Sequence, residues 1–433
     1  MAQRPNIVMV SLDEVRNDNL SCNGYTKMRT ENIDRIAAEG VVFEKTIAAG
    51  CMTPVCLSSV LCAQYPNKHT LRQPLCRIQS KTAAEILRAN GYRTCFFTGN
   101  GLIGARHGFD AGYDDFFEPK EAEYTTWNPT GRDEDTFYEG WWWVDDYLRW
   151  LKDNHRNSPF FIWGHFYETH EGGEFPLLEK GRIQEGVLSE MRYKDARIKV
   201  ADEQLIGGLI RAFDELGLWE NTLLVLFSDH GTGVGEHPVK PIPHRSGGLL
   251  YPQHRSMYDH DINVFLIMHG RNLPKGKRIP GVVRAVDIVP TVLEYANIPV
   301  EDSWDFDGVS LLPIIERGRA EGLQAYTEDL YEYRSDYADV EPNLLVGALQ
   351  SLRTDGGKLI RNLTRGTEEY YDLVEDPGEQ RDLIQQVRER NDVVELRRSL
   401  NSKLLDARPM DYPFSDDESK AIKERLRRLG YVV

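Results

Sequence analysis

The sequence has no apolar run that approaches the roughly 18 residues needed for a membrane-spanning helix. Basic residues are also scarce, because 52 Lys and Arg stand against 68 Asp and Glu, a formal net charge of −16. A chain this negative is poorly suited to bind nucleic acid or an anionic membrane. The N-terminus lacks the basic and apolar regions of a signal peptide, which predicts a cytoplasmic protein.

Cysteine is limited to six residues, all in the first quarter of the chain, and no pair has the C-x-x-C spacing of a structural zinc site. We expect these cysteines to be reduced and mostly buried. The 433 residues are 41% hydrophobic, so the chain is not disordered and has enough apolar side chains for two or three domains.

Short, continuously apolar runs recur along the chain and end in polar residues, as strands buried on both faces do. They are Asn6–Leu12, Arg93–Thr98, Pro159–Phe166, Thr222–Ser228 and Asn263–Met268. Helical spacings of apolar residues lie at Thr30–Glu39, Lys81–Asn90, Gly140–Asn154 and Ala196–Leu216. This alternation predicts an α/β fold with a mostly parallel sheet flanked by helices.

The pattern changes near Gln324, where the predicted strands become shorter and more polar, and Val387–Leu405 has the pattern of a terminal helix. We therefore predict a main domain over residues 1–323 and a C-terminal subdomain over residues 324–433. The subdomain is expected to be α+β, with a small antiparallel sheet.

Polar residues that follow the apolar runs are expected to meet at the carboxyl edge of the sheet, where such folds bind ligands. Asp13-Glu14 and Asp229-His230 follow two of these runs, and His269-Gly270 follows another. One such pair alone is more often a helix cap or a salt bridge, but two acidic clusters at one edge favour a divalent metal. We predict Asp13, Glu14, Asp229 and His230 as its ligands. The histidine favours manganese or zinc, with calcium or magnesium left open.

Four blocks of sequence resemble the sulfatase branch of the alkaline phosphatase superfamily. They are Arg4–Asp13, Ser228–His237, Val286–Asn297 and Tyr371–Gly378, in the family's order and across nearly the whole chain. The resemblance implies an alkaline-phosphatase-like α/β core with a smaller C-terminal domain. It also implies a metal-assisted hydrolase of sulfate or phosphate esters.

The nucleophile motif departs from that family, in which the Cys of Cys-x-Pro-Ser-Arg becomes formylglycine. If Cys56 is aligned with that Cys, Ser58 and Val60 replace the Pro and the Arg. The family's later ASLLTGRYP-like stretch ends here at Pro66, and counting back the family's thirteen positions from Pro66 gives Thr53. Related phosphodiesterases and pyrophosphatases use Thr at that position. We predict Thr53 as the nucleophile, with Cys56 as its rival.

Other parts of the family's anion pocket are altered. Its Gly-Lys-x-His block is replaced by Gly99-Asn100-Gly101-Leu102, so Asn100 is the group left to donate a hydrogen bond to the bound oxyanion. The resemblance implies that His170 contacts the ester or protonates its leaving group, and that His254 stands where the family has a Lys or His near the anion. His237 follows the Asp-His-Gly loop and is predicted to bind the substrate directly or to support the residues that do. His165 lies inside a predicted strand and is expected to be a hydrogen-bonded core histidine.

The resulting prediction is a metal-dependent hydrolase of a small anionic phosphodiester, phosphomonoester or phosphonate monoester, acting through a covalent intermediate on Thr53. The alternative is a sulfatase that uses Cys56. The missing Lys and His also leave open a non-catalytic relative, and the same intermediate would serve a transferase or mutase. No nucleic-acid or membrane partner is expected, and self-association is left open.

Overall fold

The structure is a computed structural model that describes residues 4–73, 76–118, 143–157, 159–170, 193–233, 237, 242–243, 249–250, 256–330, 348–410, 415 and 420. Its strands are β1 (Asn6–Leu12), β2 (Val41–Ile47), β3 (Arg93–Thr98), β4 (Asp115–Phe117), β5 (Phe160–Phe166), β6 (Thr222–Ser228), β7 (Ile242–Pro243), β8 (Leu249–Leu250), β9 (Asn263–His269), β10 (Lys277–Arg284), β11 (Ala325–Asp329), β12 (Leu349–Arg353), β13 (Gly357–Asn362) and β14 (Thr367–Asp372).

The helices in the same ranges are α1 (Glu31–Glu39), α2 (Thr53–Cys62), α3 (Pro66–His69), α4 (Ala83–Ala89), α5 (Val144–Asn154), α6 (Tyr193–Val200), α7 (Gly207–Leu216), α8 (Asp259–Ile262), α9 (Ile288–Tyr295), α10 (Leu312–Arg317), α11 (Ile384–Val387) and α12 (Asn391–Leu405). A π-helical segment, Ala201–Ile206, joins α6 to α7. None of the helices in the described ranges has the length and apolarity to cross a membrane.

The main sheet has eight strands in the order β10-β2-β9-β6-β1-β5-β3-β4, and confirms the predicted mostly parallel architecture. Strands β1, β5 and β6 are parallel neighbours and are buried along their whole lengths. Helices cover both faces, which explains why these strands consist of continuous apolar runs. Strands β2, β4 and β10 were not predicted, since β4 is short and the other two mix apolar with charged residues.

Strand β9 runs antiparallel to both of its neighbours, β2 and β6. The chain enters β9 from the short helix α8, so Asn263 begins the strand near the edge where β6 ends. His269 instead pairs with Leu224 near the start of β6. The prediction that His269-Gly270 joins the polar residues at the carboxyl edge is therefore wrong.

A separate antiparallel sheet, in the order β11-β12-β13-β14, confirms the predicted C-terminal sheet, and α12 packs on it with buried Val393, Leu396 and Leu400. A buried ion pair joins this sheet to the main body. Arg72 Nε and Nη2 lie 2.6 and 2.8 Å from the two carboxylate oxygens of Glu328. The boundary between residues 323 and 324 stays a prediction.

Candidate active site

The ends of three adjacent parallel strands, β6, β1 and β5, bring together residues that are far apart in the sequence. Ser228 at the end of β6 links two of these ends, because its Oγ donates to Leu12 O at 2.7 Å and accepts from Val15 N at 2.9 Å. Asp13 N donates to Phe166 O at 3.1 Å, which links the end of β1 to that of β5. These hydrogen bonds fix the backbone that carries the acidic residues.

Asp13, Asp229 and His230 form one compact group, with one ligand atom from each lying within 4.8 Å of the others. All three are at most 1% exposed. Asp229 Oδ1 accepts hydrogen bonds from Glu14 N at 3.1 Å and His230 N at 2.8 Å. Within the described part of the chain, Asp13 Oδ1 and Asp229 Oδ2 accept no hydrogen bond.

Buried carboxylate oxygens without donors are costly, so their presence calls for a partner of another kind. Asp13 Oδ1 and Asp229 Oδ2 lie 3.8 and 3.5 Å from His230 Nε2. Two anionic oxygens converging on an imidazole nitrogen are a donor set that suits a divalent transition metal. The residues present therefore fit the metal expected from the sequence.

Glu14 has a different environment from the two aspartates. Its backbone is left-handed, with φ of 60°, which is unusual for a residue with a side chain and marks local strain. Its Oε1 lies 2.9 Å from His170 Nε2, and its Oε2 lies 2.6 Å from Lys194 Nζ. Asp13, Glu14 and His170 also form a second group with metal-ligand spacing. The role of Glu14 as a metal ligand stays a prediction.

Thr53 is the first residue of α2 and is 1% exposed. Its Oγ1 lies 3.4 Å from Asp13 Oδ2 and 3.3 Å from His230 Nε2. Met52, rather than Thr53, occupies the N-cap position, so the hydroxyl is not used as a helix cap. The residue found by counting back from Pro66 therefore places its hydroxyl next to the candidate metal group.

Cys56 lies one helical turn after Thr53, and its backbone N–H donates to Met52 O at 2.9 Å. It packs with Ala48 and Val264 in a small apolar cluster. Burial, and secondly the Asp229 carboxylate, raise the pKa of the Cys56 thiol well above its usual range. These surroundings suit an inert buried thiol rather than a nucleophile.

Electrostatics in the group favour charged histidines when no metal is bound. Burial lowers the pKa of His230, but the carboxylates of Asp229 and Asp13 outweigh it and raise the pKa. The pKa of His170 is raised in the same way, because burial is outweighed by Glu14. For Asp13, burial raises the pKa, but the hydrogen bond from His165 and the nearby histidines hold it below its usual value. The pocket thus stabilises negative charge on its oxygens.

Two residues in contact with these carboxylates were not predicted as site residues. His165 is a buried, hydrogen-bonded histidine as expected, with Nδ1 3.0 Å from Ser11 Oγ, but its Nε2 lies 3.2 Å from Asp13 Oδ2. The contact follows from the parallel register of β1 and β5, which pairs Ser11 with His165. Lys194 had no such signal, because it lies on a polar helix 180 residues after Glu14.

Two other predicted residues contact groups other than the buried carboxylates. Asn100 Oδ1 accepts from Leu102 N at 3.0 Å and caps the short 3₁₀ turn after β3, so that oxygen serves the local backbone. His237 stacks on Tyr258 with ring centroids 3.6 Å apart, and lines a cleft of about 320 Å³ together with Arg16 and Arg353. His254 lies outside the described residues.

The sulfatase family model matches residues 5–298, and a model described as N-sulphoglucosamine sulphohydrolase, C-terminal, matches residues 248–408. An ulvan-active sulfatase of Formosa agariphila is 26% identical over 467 residues, covering 99% of this chain and 85% of that protein. An arylsulfatase of Clostridium perfringens is 25% identical over 467 residues, covering 87% of this chain and 89% of that protein.

Solved structures resemble the chain at lower identity. One, in complex with its substrate D-glucosamine-2-N,6-O-disulfate, has a TM-score of 0.70 at 19% identity and covers 96% of this chain and 100% of that chain. The phosphonate monoester hydrolase of Agrobacterium radiobacter has a TM-score of 0.67 at 18% identity, with coverage of 93% and 96%. At these identities the matches establish the fold alone.

Proposed function

The chain belongs to the sulfatase family and is an ester hydrolase of that class, and from this membership we propose that it hydrolyses a sulfate ester with Thr53 as the nucleophile. Both family models and both curated relatives favour the sulfatase alternative over the phosphate ester predicted from the sequence. The observation that supports Thr53 is the position of its Oγ1, 3.4 Å from Asp13 and 3.3 Å from His230.

Asp13, Asp229 and His230 would hold the metal, with manganese or zinc favoured by the imidazole nitrogen. When bound, such an ion lowers the pKa of a nearby hydroxyl and neutralises charge on the ester. The position of Thr53 at the start of α2 adds the positive end of a helix dipole, which also favours an ionised hydroxyl.

In the proposed reaction, the Thr53 hydroxyl loses its proton to solvent and its Oγ attacks sulfur, and the bond from sulfur to the alcohol oxygen breaks with its electron pair. His170 is the candidate acid for the departing alcohol, because Glu14 favours its protonated form. Water then attacks the sulfo-threonine and sulfate leaves, one proton of the water passing to the Thr53 oxygen and the other to the imidazole of His170. The cleft that contains His237 is the candidate site for the rest of the substrate.

A phosphodiester or phosphonate monoester is the second candidate substrate, and a specific observation favours it. A threonine cannot form the hydrated aldehyde that gives formylglycine sulfatases their exit from the sulfated intermediate. A phospho-threonine, in contrast, is released simply by attack of water on phosphorus. A cytoplasmic location remains part of the proposal.

The test is a panel of nitrophenyl esters with manganese or zinc supplied, comparing an aryl sulfate with an aryl phosphodiester and a phosphonate monoester. We expect the highest kcat/KM on the sulfate. A preference of about tenfold or more for a phosphorus ester, about 1.4 kcal/mol, would move the function to the second candidate. Absence of turnover on every ester in the metal-loaded protein would contradict both.

A further inference from the structure

We propose that Lys194 is the fixed positive charge that binds the anionic group of the substrate. This inference rests on the proposed function, because it concerns the ester bound at that site. Lys194 lies on α6, is 3% exposed, and places Nζ 2.6 Å from Glu14 Oε2. Among the described residues, no other lysine or arginine forms an ion pair with the buried carboxylates of the site.

The charges of the site favour such a cation. Asp13, Glu14 and Asp229 are buried together, and a divalent metal with a protonated His170 only balances their three negative charges. A neutral pocket gives an anionic ester no net attraction to offset the loss of its hydration. Lys194 supplies one net positive charge, which matches the negative charge of the ester. The loop after β3, Gly99–Leu102, contains no basic residue that could take this role.

The hydrogen-bonding capacity of the ammonium points to a ligand. A lysine ammonium has three N–H donors, and Glu14 Oε2 is the acceptor that the described residues provide for Lys194. Within the described part of the chain, two donors of this buried cation are thus left for another acceptor. An oxygen of a sulfate or phosphate group is suited to them, since charge-assisted hydrogen bonds of this kind are strong.

The backbone of Lys194 is held in place from two sides. Asp195 accepts a hydrogen bond from Tyr25 Oη at 2.6 Å. Farther along, in the π-helical segment, Asp202 Oδ1 accepts from Ile33 N at 2.7 Å at the start of α1. These contacts dock α6 and the segment after it onto the main body, so the lysine approaches Glu14 from a fixed helix.

The test compares the metal-loaded wild-type protein with Lys194→Ala, Lys194→Arg and Lys199→Ala. Lys199 is the matched control, because it lies on the same helix and pairs with Glu31 at 3.2 Å near the surface. The first readout is the shift of the thermal midpoint on addition of inorganic sulfate or inorganic phosphate. The second is metal content by elemental analysis, and the third is the separate effect on KM and kcat.

We expect Lys194→Ala to keep its metal, to lose the anion-dependent shift, and to raise KM about tenfold or more. Lys194→Arg should recover most of the shift, and Lys199→Ala should match the wild type. If Lys194→Ala retains the shift and the wild-type KM, or loses its metal, the lysine is a structural counter-ion of Glu14 and the inference is wrong.

Two further results are informative if Lys194→Ala does not fold or if the wild-type protein hydrolyses no ester. If Lys194→Ala does not fold, the double variant Glu14→Gln with Lys194→Met removes both buried charges at once, and it should fold without an anion-dependent shift. A shift that depends on Lys194 in a wild-type protein without ester turnover would support the lysine and overturn the function.

Discussion

Replacing Asp229 with asparagine should remove the response to metal while it changes the stability of the metal-free protein little. The amide keeps an acceptor at the position of Oδ1, which receives hydrogen bonds from Glu14 N and His230 N. The change removes a negative charge from the carboxylate group and puts an NH₂ where Oδ2 has no donor among the described residues. In the metal-free state the relief of repulsion from Asp13 is offset by the lost attraction to protonated His230, whereas in the metal-bound state a ligand is lost.

The magnitude follows from the spacing of the group. Ligand atoms of Asp13 and Asp229 lie within 4.8 Å of each other. Two unit charges at that distance repel by about 3.5 kcal/mol at an effective dielectric constant of about 20. The attraction between Asp229 Oδ2 and a protonated His230, whose Nε2 lies 3.5 Å away, is of similar size and opposite sign, so we expect a net change within about 1 kcal/mol in the metal-free state. With metal at about 100 times its Kd, the wild type should gain about 2.7 kcal/mol that the variant lacks.

The assay is the free energy of unfolding in urea, measured with EDTA and again with manganese. Asp202→Asn is the matched control, because Asp202 is also a buried aspartate that accepts backbone hydrogen bonds, and it lies outside the candidate metal group. It should leave the stabilisation by manganese unchanged. The reasoning is refuted if Asp229→Asn responds to manganese like the wild type, or is destabilised in EDTA as much as Asp202→Asn.

Three other predictions concern different parts of the chain. Arg72→Ala buries the Glu328 carboxylate without its cation and should cost about 3–5 kcal/mol in urea unfolding, whereas a compensating Glu328→Gln should restore part of it. Burial raises the pKa of Asp259, but two cations from the C-terminal sheet hold it well below its usual value, so the stability that Asp259→Asn removes at pH 7 should start to decline below about pH 4 and should be lost only below the lowered pKa. Thr53→Ala should lose turnover by orders of magnitude, while Cys56→Ala should cost roughly 1 kcal/mol of stability and little activity.

Several strands of the main sheet were predictable because a strand that is buried on both faces has apolar side chains at nearly every position. β1, β3 and β6 begin and end where the apolar runs do. The direction of β9 was not predictable in this way, since an apolar run looks the same whether its strand is parallel or antiparallel to its neighbours. That direction depends on how α8 delivers the chain to the sheet, which is a tertiary property.

The candidate site also contains residues that could be predicted from local sequence and residues that depend on tertiary contacts. Asp13 and Asp229 follow buried strands directly, so sequence position and the rule for strand ends suffice to bring them together. Lys194 reaches Glu14 across 180 residues from a helix whose own pattern resembles a solvated surface. The register of Thr53 could be counted from Pro66, but only packing distinguishes its hydroxyl from the thiol of Cys56 one turn later.

The central claim, that the Thr53 hydroxyl attacks the ester, is tested most directly by trapping the intermediate. The metal-loaded protein is mixed with a nitrophenyl sulfate, or with the preferred ester of the panel, quenched in acid during turnover and mapped by peptide mass spectrometry. The account predicts a sulfo or phospho group on Thr53 and an unmodified Cys56. An aldehyde at position 56, or a label on Cys56 with Thr53 unmodified, would contradict it.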